Sequence, residues 1–147
     1  MMLIKYFTIY ILSMLYILVG IKHLISPEFF ITIVPEYIFY KSEVVLISGL
    51  LEIIFGILLL HSKTRSIGAW GIIFILIAVF PANIYLYYSK IAQDTLGITK
   101  SQALLRIPFQ IPLIIIAYWH SKEFHSREFS ILCIILFIPT IIYFLTI

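Results

Sequence analysis

Five long apolar runs, at about residues 6–24, 44–60, 67–88, 102–119 and 129–147, are separated by short polar segments, and they constrain this chain more than any other feature. Crossing the hydrocarbon core of a bilayer takes about 20 predominantly apolar residues in helical conformation. Each run reaches or approaches that length. In lipid every backbone N–H and C=O must find its partner within the protein, which leaves helices and closed barrels as spanning structures. Barrel strands alternate apolar and polar residues over about ten positions, and these runs do not alternate. The spacing predicts an all-α fold, a polytopic membrane helix bundle forming a single domain over residues 1–147.

Composition supports the same reading. Of 147 residues, 63% are hydrophobic and 12% charged, against about half and about a quarter in soluble domains. The net charge of +3 comes from basic residues scattered singly between apolar runs. Nucleic-acid binding would need them gathered on a stripe, so the expected partner is the lipid bilayer and no nucleic acid. Cys133, the single cysteine, allows neither a disulfide framework nor a C-x-x-C redox pair within the chain.

The first run follows Lys5 and resembles a signal peptide in length, but no small-x-small cleavage pattern follows it, so it is read as a helix. Residues 26–43 carry Glu28, Glu36, Lys41 and Glu43 among Phe29, Phe30, Tyr37, Phe39 and Tyr40, with breaks at Pro27 and Pro35. That segment is too short and too charged to span. It is expected to lie at the interface, where aromatic rings are favoured. Residues 89–101 read as a solvated loop with a short helical turn. Basic residues divide almost evenly between the two faces, and the compact Lys63 and Arg65 pair places the N-terminal side in the cytoplasm of a cell (inner) membrane protein.

Polar groups within the runs mark the expected pocket. An ionisable residue inside a span is costly and faces the bundle interior or a water-filled cavity. Glu52 lies about 12 Å into its helix, at 1.5 Å per residue. Ser48, Glu52 and Gly56 fall on one face, with Gly49 beside them, and small residues permit close helix contact. Asn83 follows Pro81, whose missing N–H leaves a backbone defect. Arg106 and Gln110 share a face of the fourth run, near Pro108 and Pro112.

Following the chain back and forth across the bilayer brings Glu52, Asn83, Arg106 and Gln110 into one half of the membrane, with His23 at the end of the first helix. The expected arrangement is a polar pocket under the interfacial segment. Two readings stand. In one, Glu52 and Arg106 form a buried ion pair, with Asn83 and Gln110 filling the remaining hydrogen bonds, as structural glue. In the other, the same groups bind the polar head of a lipid-soluble ligand such as a quinone or lipid, and move a proton. His61, His120, Glu123 and His125 follow no recognised zinc spacing and are read as a headgroup-level polar loop, so no metal site is expected. A transporter is disfavoured by the lack of an internal repeat and of charges that would continue the path across the membrane.

The order and spacing of Tyr16-Ile-Leu-Val-Gly-Ile-Lys-His23, Pro27-Glu-Phe-Phe30, Ile33-Val-Pro35, Ser48-Gly-Leu-Leu-Glu52, Val79-Phe-Pro-Ala-Asn-Ile-Tyr85 and Leu105-Arg-Ile-Pro-Phe-Gln110 resemble the DoxX and DoxX-like membrane proteins. The resemblance covers about residues 6–119. It implies a four-helix membrane core, to which the fifth run is an addition, and a site at His23, Glu52, Asn83, Arg106 and Gln110. Some DoxX relatives are associated with thiosulfate-to-quinone electron transfer or with oxidant-defence complexes. This chain has no evident haem or iron–sulfur ligand set, so such a role here implies a quinone or a redox protein partner; separately, a bundle this small is expected to associate, as a homo-oligomer. An enzyme using Glu52 as general acid or base, in a quinone-linked oxidoreductase or a lipid isomerase, is the alternative, and a purely structural membrane protein is another.

Overall fold

The computed structural model describes residues 2–146, so Ile147 of the fifth apolar run lies outside the described residues. Eight helices follow in order: α1 (Met2–Ile25), α2 (Pro27–Ile31), α3 (Lys41–Leu60), α4 (Arg65–Ala78), α5 (Phe80–Tyr88), α6 (Lys90–Leu96), α7 (Lys100–Ser121) and α8 (Arg127–Thr146). With α4 and α5 taken as one interrupted rod, five of these segments are long and apolar enough to cross a membrane. Phe74, Ile77, Ile111 and Ile135 are each about 60% exposed on the outside of the bundle. Such a surface suits lipid and not water. The protein is an all-α membrane helix bundle.

Local sequence sets the helix ends. The third apolar run is not one helix. Pro81 lacks an N–H, and the rod breaks at Val79, one turn after Leu76. The loop expected at 89–101 contains the seven-residue α6, closed by Gly97 at φ 66°. The amide of Gly97 donates to Asp94 (3.2 Å) and that of Ile98 to Gln93 (3.0 Å), the paired bonds of a left-handed helix cap. A Cβ at Gly97 would meet nothing within 4 Å, so the cost of a side chain there is purely conformational. Gly97→Ala is expected to cost about 1 kcal/mol in a denaturant titration, with Gly97→Asn milder; equal stability of all three forms would contradict it. α7 opens with a reciprocal box, in which Thr99 N donates to Gln102 Oε1 (2.8 Å) and Gln102 N to Thr99 Oγ1 (3.2 Å).

Packing runs as a chain of neighbours. α1 lies along α3, α3 along α4, α4 along α7, and α7 along α8, while α5 also meets α7. Lipid tails are as apolar as leucine, so association in the membrane rests on close packing rather than on expulsion of water. Glycine provides it. A Cβ at Gly20 would lie 2.5 Å from the Gly49 carbonyl oxygen, and one at Gly49 would lie 2.5 Å from His23 Cβ. The α1 and α3 backbones therefore nearly touch, beside His23 and Glu52. The larger apolar core, which includes Ile9, Leu12, Leu59, Ile72 and Ile116, is centred toward the other end of the bundle, and a smaller one of Leu86, Ala92, Ile98 and Ala103 gathers α5, α6 and the start of α7.

Candidate functional site

A cavity of about 370 Å³ occupies the half of the bundle formed by the end of α1, the start of α3, the α4–α5 break, the start of α7 and the end of α8. His23, Glu52, Asn83, Arg106 and Gln110 all line it. Phe30, Ile33, Val34, Pro35 and Ile38 of the 26–43 segment also contribute to its wall, as do many other apolar side chains. An apolar chamber with a few convergent polar groups is the usual form of a small-molecule site.

The pairing inside it differs from the expected one. Glu52 does not pair with Arg106. Its Oε2 lies 3.1 Å from His23 Nδ1, and both side chains are buried. The reason is the order of neighbours: glycines bring α3 directly onto α1, whereas Arg106 sits on α7, which packs on α4, α5 and α8. His23 Nδ1 is also 2.9 Å from the Val19 carbonyl, which can only accept, so the ring hydrogen on Nδ1 points there. Glu52 Oε2 is left close to the imidazole yet without a hydrogen-bond donor. One face of the histidine ring is covered by Phe30, stacked at 3.6 Å between centroids.

Asn83 and Gln110 are satisfied by each other and by the helix break. Asn83 Nδ2 donates to Gln110 Oε1 at 3.1 Å, and Gln110 Nε2 donates to the Leu76 carbonyl. That carbonyl lies one turn before the interruption at Val79. Gln110 thus splints α7 to the broken rod, and the pair forms a fixed polar wall.

Arg106 is the opposite case. It meets no carboxylate among the described residues, and its Nε is buried without a hydrogen-bond acceptor. Its guanidinium rests over the Phe144 ring, 5.8 Å from the centroid. Next to Phe144, the Tyr143 hydroxyl donates to the Gln102 carbonyl at 2.6 Å and its ring stacks on Phe109 at 4.4 Å, which fixes the end of α8 against α7.

Tyr16, Lys22, Tyr143 and Phe144 also line the chamber and were not marked by the sequence reading. Tyr16 sits two turns before His23 and so on the same helical face, a readable signal. Lys22 stands among the basic residues scattered singly between the apolar runs, and nothing in the pattern sets it apart. Tyr143 and Phe144 belong to a run so uniformly apolar that no face stands out.

No curated protein and no solved structure matches the chain. Residues 12–121 match a family described as a domain of unknown function (DUF8561), a stretch that takes in most of α1, all of α2 to α7 and His23, Glu52, Asn83, Arg106 and Gln110, with α8 and its Tyr143 beyond it. The match covers well over half of the chain, which therefore belongs to the DUF8561 family.

Proposed function

We propose that this protein binds a small amphipathic ligand, a quinone or a lipid, with its polar head at Arg106 and Glu52. The observation that carries the reading is a mismatch within one cavity: Arg106 Nε is a buried donor without an acceptor, and Glu52 Oε2 a buried acceptor without a donor. An unmade hydrogen bond in a buried site costs about 1–3 kcal/mol, more where the group is charged. A head that brings a carbonyl or anionic oxygen to Arg106 and a hydroxyl to Glu52 removes both deficits. Asn83 and Gln110 supply the rigid wall beside it, and the apolar lining suits a hydrocarbon tail. The resemblance to DoxX-like proteins favours a quinone and a role as accessory subunit of a membrane redox complex in the cell (inner) membrane, and the Lys63 and Arg65 pair favours a cytoplasmic N-terminus.

The test is purification of the whole chain in mild detergent, followed by native mass spectrometry and lipid extraction, for wild type, Glu52→Gln and Arg106→Gln. A copurifying quinone or lipid is expected, held roughly tenfold or more weakly in each variant, the effect of one charge-assisted hydrogen bond. If nothing copurifies and both variants merely lose stability, the polar groups are structural glue. The closeness of His23 to Glu52, 3.1 Å, favours one further reading, in which Glu52 exchanges protons with the ligand as a general acid or base of an oxidoreductase or isomerase. Turnover with a pH dependence that disappears in Glu52→Gln would distinguish catalysis from binding.

A further inference from the structure

At the opposite end of the bundle a second cavity, of about 260 Å³, lies where the start of α1, the α3–α4 turn and the end of α7 meet. Its walls include Lys5, Arg65, Ser66, His120, Lys122 and Glu123, so that three cations face a single carboxylate. Among the described residues none of these three cations has a carboxylate within ion-pair distance. Lys5 Nζ donates to the carbonyls of Lys122 (2.6 Å) and Glu123 (3.2 Å), and Arg65 to those of Leu59 (3.2 Å) and Leu60 (3.4 Å). These bonds tether the C-terminal ends of α7 and α3. They leave N–H groups on both cations unused. Lys122, whose ammonium rests over the Tyr118 ring at 5.1 Å, makes no side-chain hydrogen bond.

Two further groups at this end lack partners. α4 starts at Arg65 without a side-chain cap, so its first amides and the positive end of its dipole face the same region. His120 is fully buried on the cavity wall. Its Nε2 lies 3.0 Å from Thr8 Oγ1, and the Thr8 hydroxyl is already donating to the Lys5 carbonyl at 2.8 Å, so Nε2 is the donor in that contact. Nδ1 then remains without any partner. The excess of positive charge extends to the adjoining loop, where burial first and Lys5 second hold His125 below the ordinary histidine range.

We propose that this cavity binds a phosphate oxyanion. Unspent N–H groups of Lys5, Arg65 and Lys122 supply charge-assisted donors, and the uncapped start of α4 adds backbone amides. The site stands at the ends of spanning helices, the depth of lipid headgroups. The phosphate can therefore belong to an anionic phospholipid or to a soluble species, and the experiment separates them.

Thermal unfolding and native mass spectrometry of the full chain in a neutral detergent would be followed with phosphatidylglycerol, with phosphatidylcholine, and with inorganic phosphate against chloride at matched ionic strength. Phosphatidylglycerol is expected to bind and stabilise, with affinity roughly tenfold lower in Lys122→Gln and Arg65→Gln and unchanged in Lys100→Gln on the other face. Arg65 also tethers α3, so Lys122→Gln, which removes no hydrogen bond, is the decisive variant. Loss of that binding without competition by inorganic phosphate assigns the site to a lipid headgroup, while competition, or binding of inorganic phosphate alone that weakens in Lys122→Gln, assigns it to soluble phosphate. The proposal is overturned if the two lipids bind alike and inorganic phosphate does not bind, or if Lys100→Gln loses as much as Lys122→Gln.

Discussion

Gly68→Ala is expected to lower the unfolding free energy of the bundle by about 3 kcal/mol, the upper range for overpacking a close-fitted interior. A Cβ at Gly68 would fall 2.5 Å from Leu59 N, 2.7 Å from Phe55 O and 2.8 Å from Leu58 C. All three are backbone atoms of α3, and none can rotate aside. α4 would have to move off α3 as a body, with loss of the dispersion contacts that hold helices together in lipid. Gly71 makes the fitting control. A Cβ there would meet Phe55 Cγ, Cδ1 and Cε1, side-chain atoms that a change of χ1 can move without shifting a backbone, so Gly71→Ala should cost less. Unfolding of both variants in mixed micelles, followed by circular dichroism, decides the point. Equal losses would show that the α3–α4 contact yields more readily than its geometry implies.

The second large effect should come from Gln110→Leu, expected to cost about 2 kcal/mol. Leucine fills much the same volume but leaves the Leu76 carbonyl and Asn83 Nδ2 without partners at a helix break shielded from water. Single hydrogen bonds in membrane proteins are worth less, about 0.6 kcal/mol on average, because the denatured chain also finds partners. The larger figure reflects two stranded groups rather than one lost bond. The double variant Asn83→Leu/Gln110→Leu should be less damaging than the sum of its parts, since it removes one stranded donor together with its acceptor. Strict additivity in the double-mutant cycle would mean that the two amides are not coupled.

The sequence discloses the architecture because the dominant requirement, burying backbone polar groups in lipid, acts on whole runs of residues. Five spans, their direction and the half of the membrane holding the polar groups all follow from it. Details that depend on a single bond are harder to read. The defect at Pro81 is visible, but its resolution into two helices at Val79 depends on Gln110 reaching the Leu76 carbonyl from another helix. A seven-residue helix such as α6 is too short for an apolar period to emerge from a polar loop.

The chemistry of the pocket shows the same division. Helix direction alone is enough to bring His23, Glu52, Asn83, Arg106 and Gln110 to one end of the bundle. Which acid meets which base depends on lateral neighbours, and these are set by the fit of Gly20 against Gly49. A charge-based reading pairs Glu52 with the nearest strong cation in the pattern, Arg106, whereas the close α1–α3 crossing gives it to His23. Tyr143 and Phe144 close the chamber from a helix whose sequence carries no polar landmark.

The chamber lies in one half of the bundle, with the larger apolar core centred toward the other end. For an amphiphile that does not flip between leaflets, the two membrane faces are then inequivalent compartments. In vesicles holding the protein in both orientations, such a molecule added from outside would reach only those copies whose chamber faces the outer leaflet. Occupancy would follow its mole fraction among the lipids of that leaflet rather than its concentration in water.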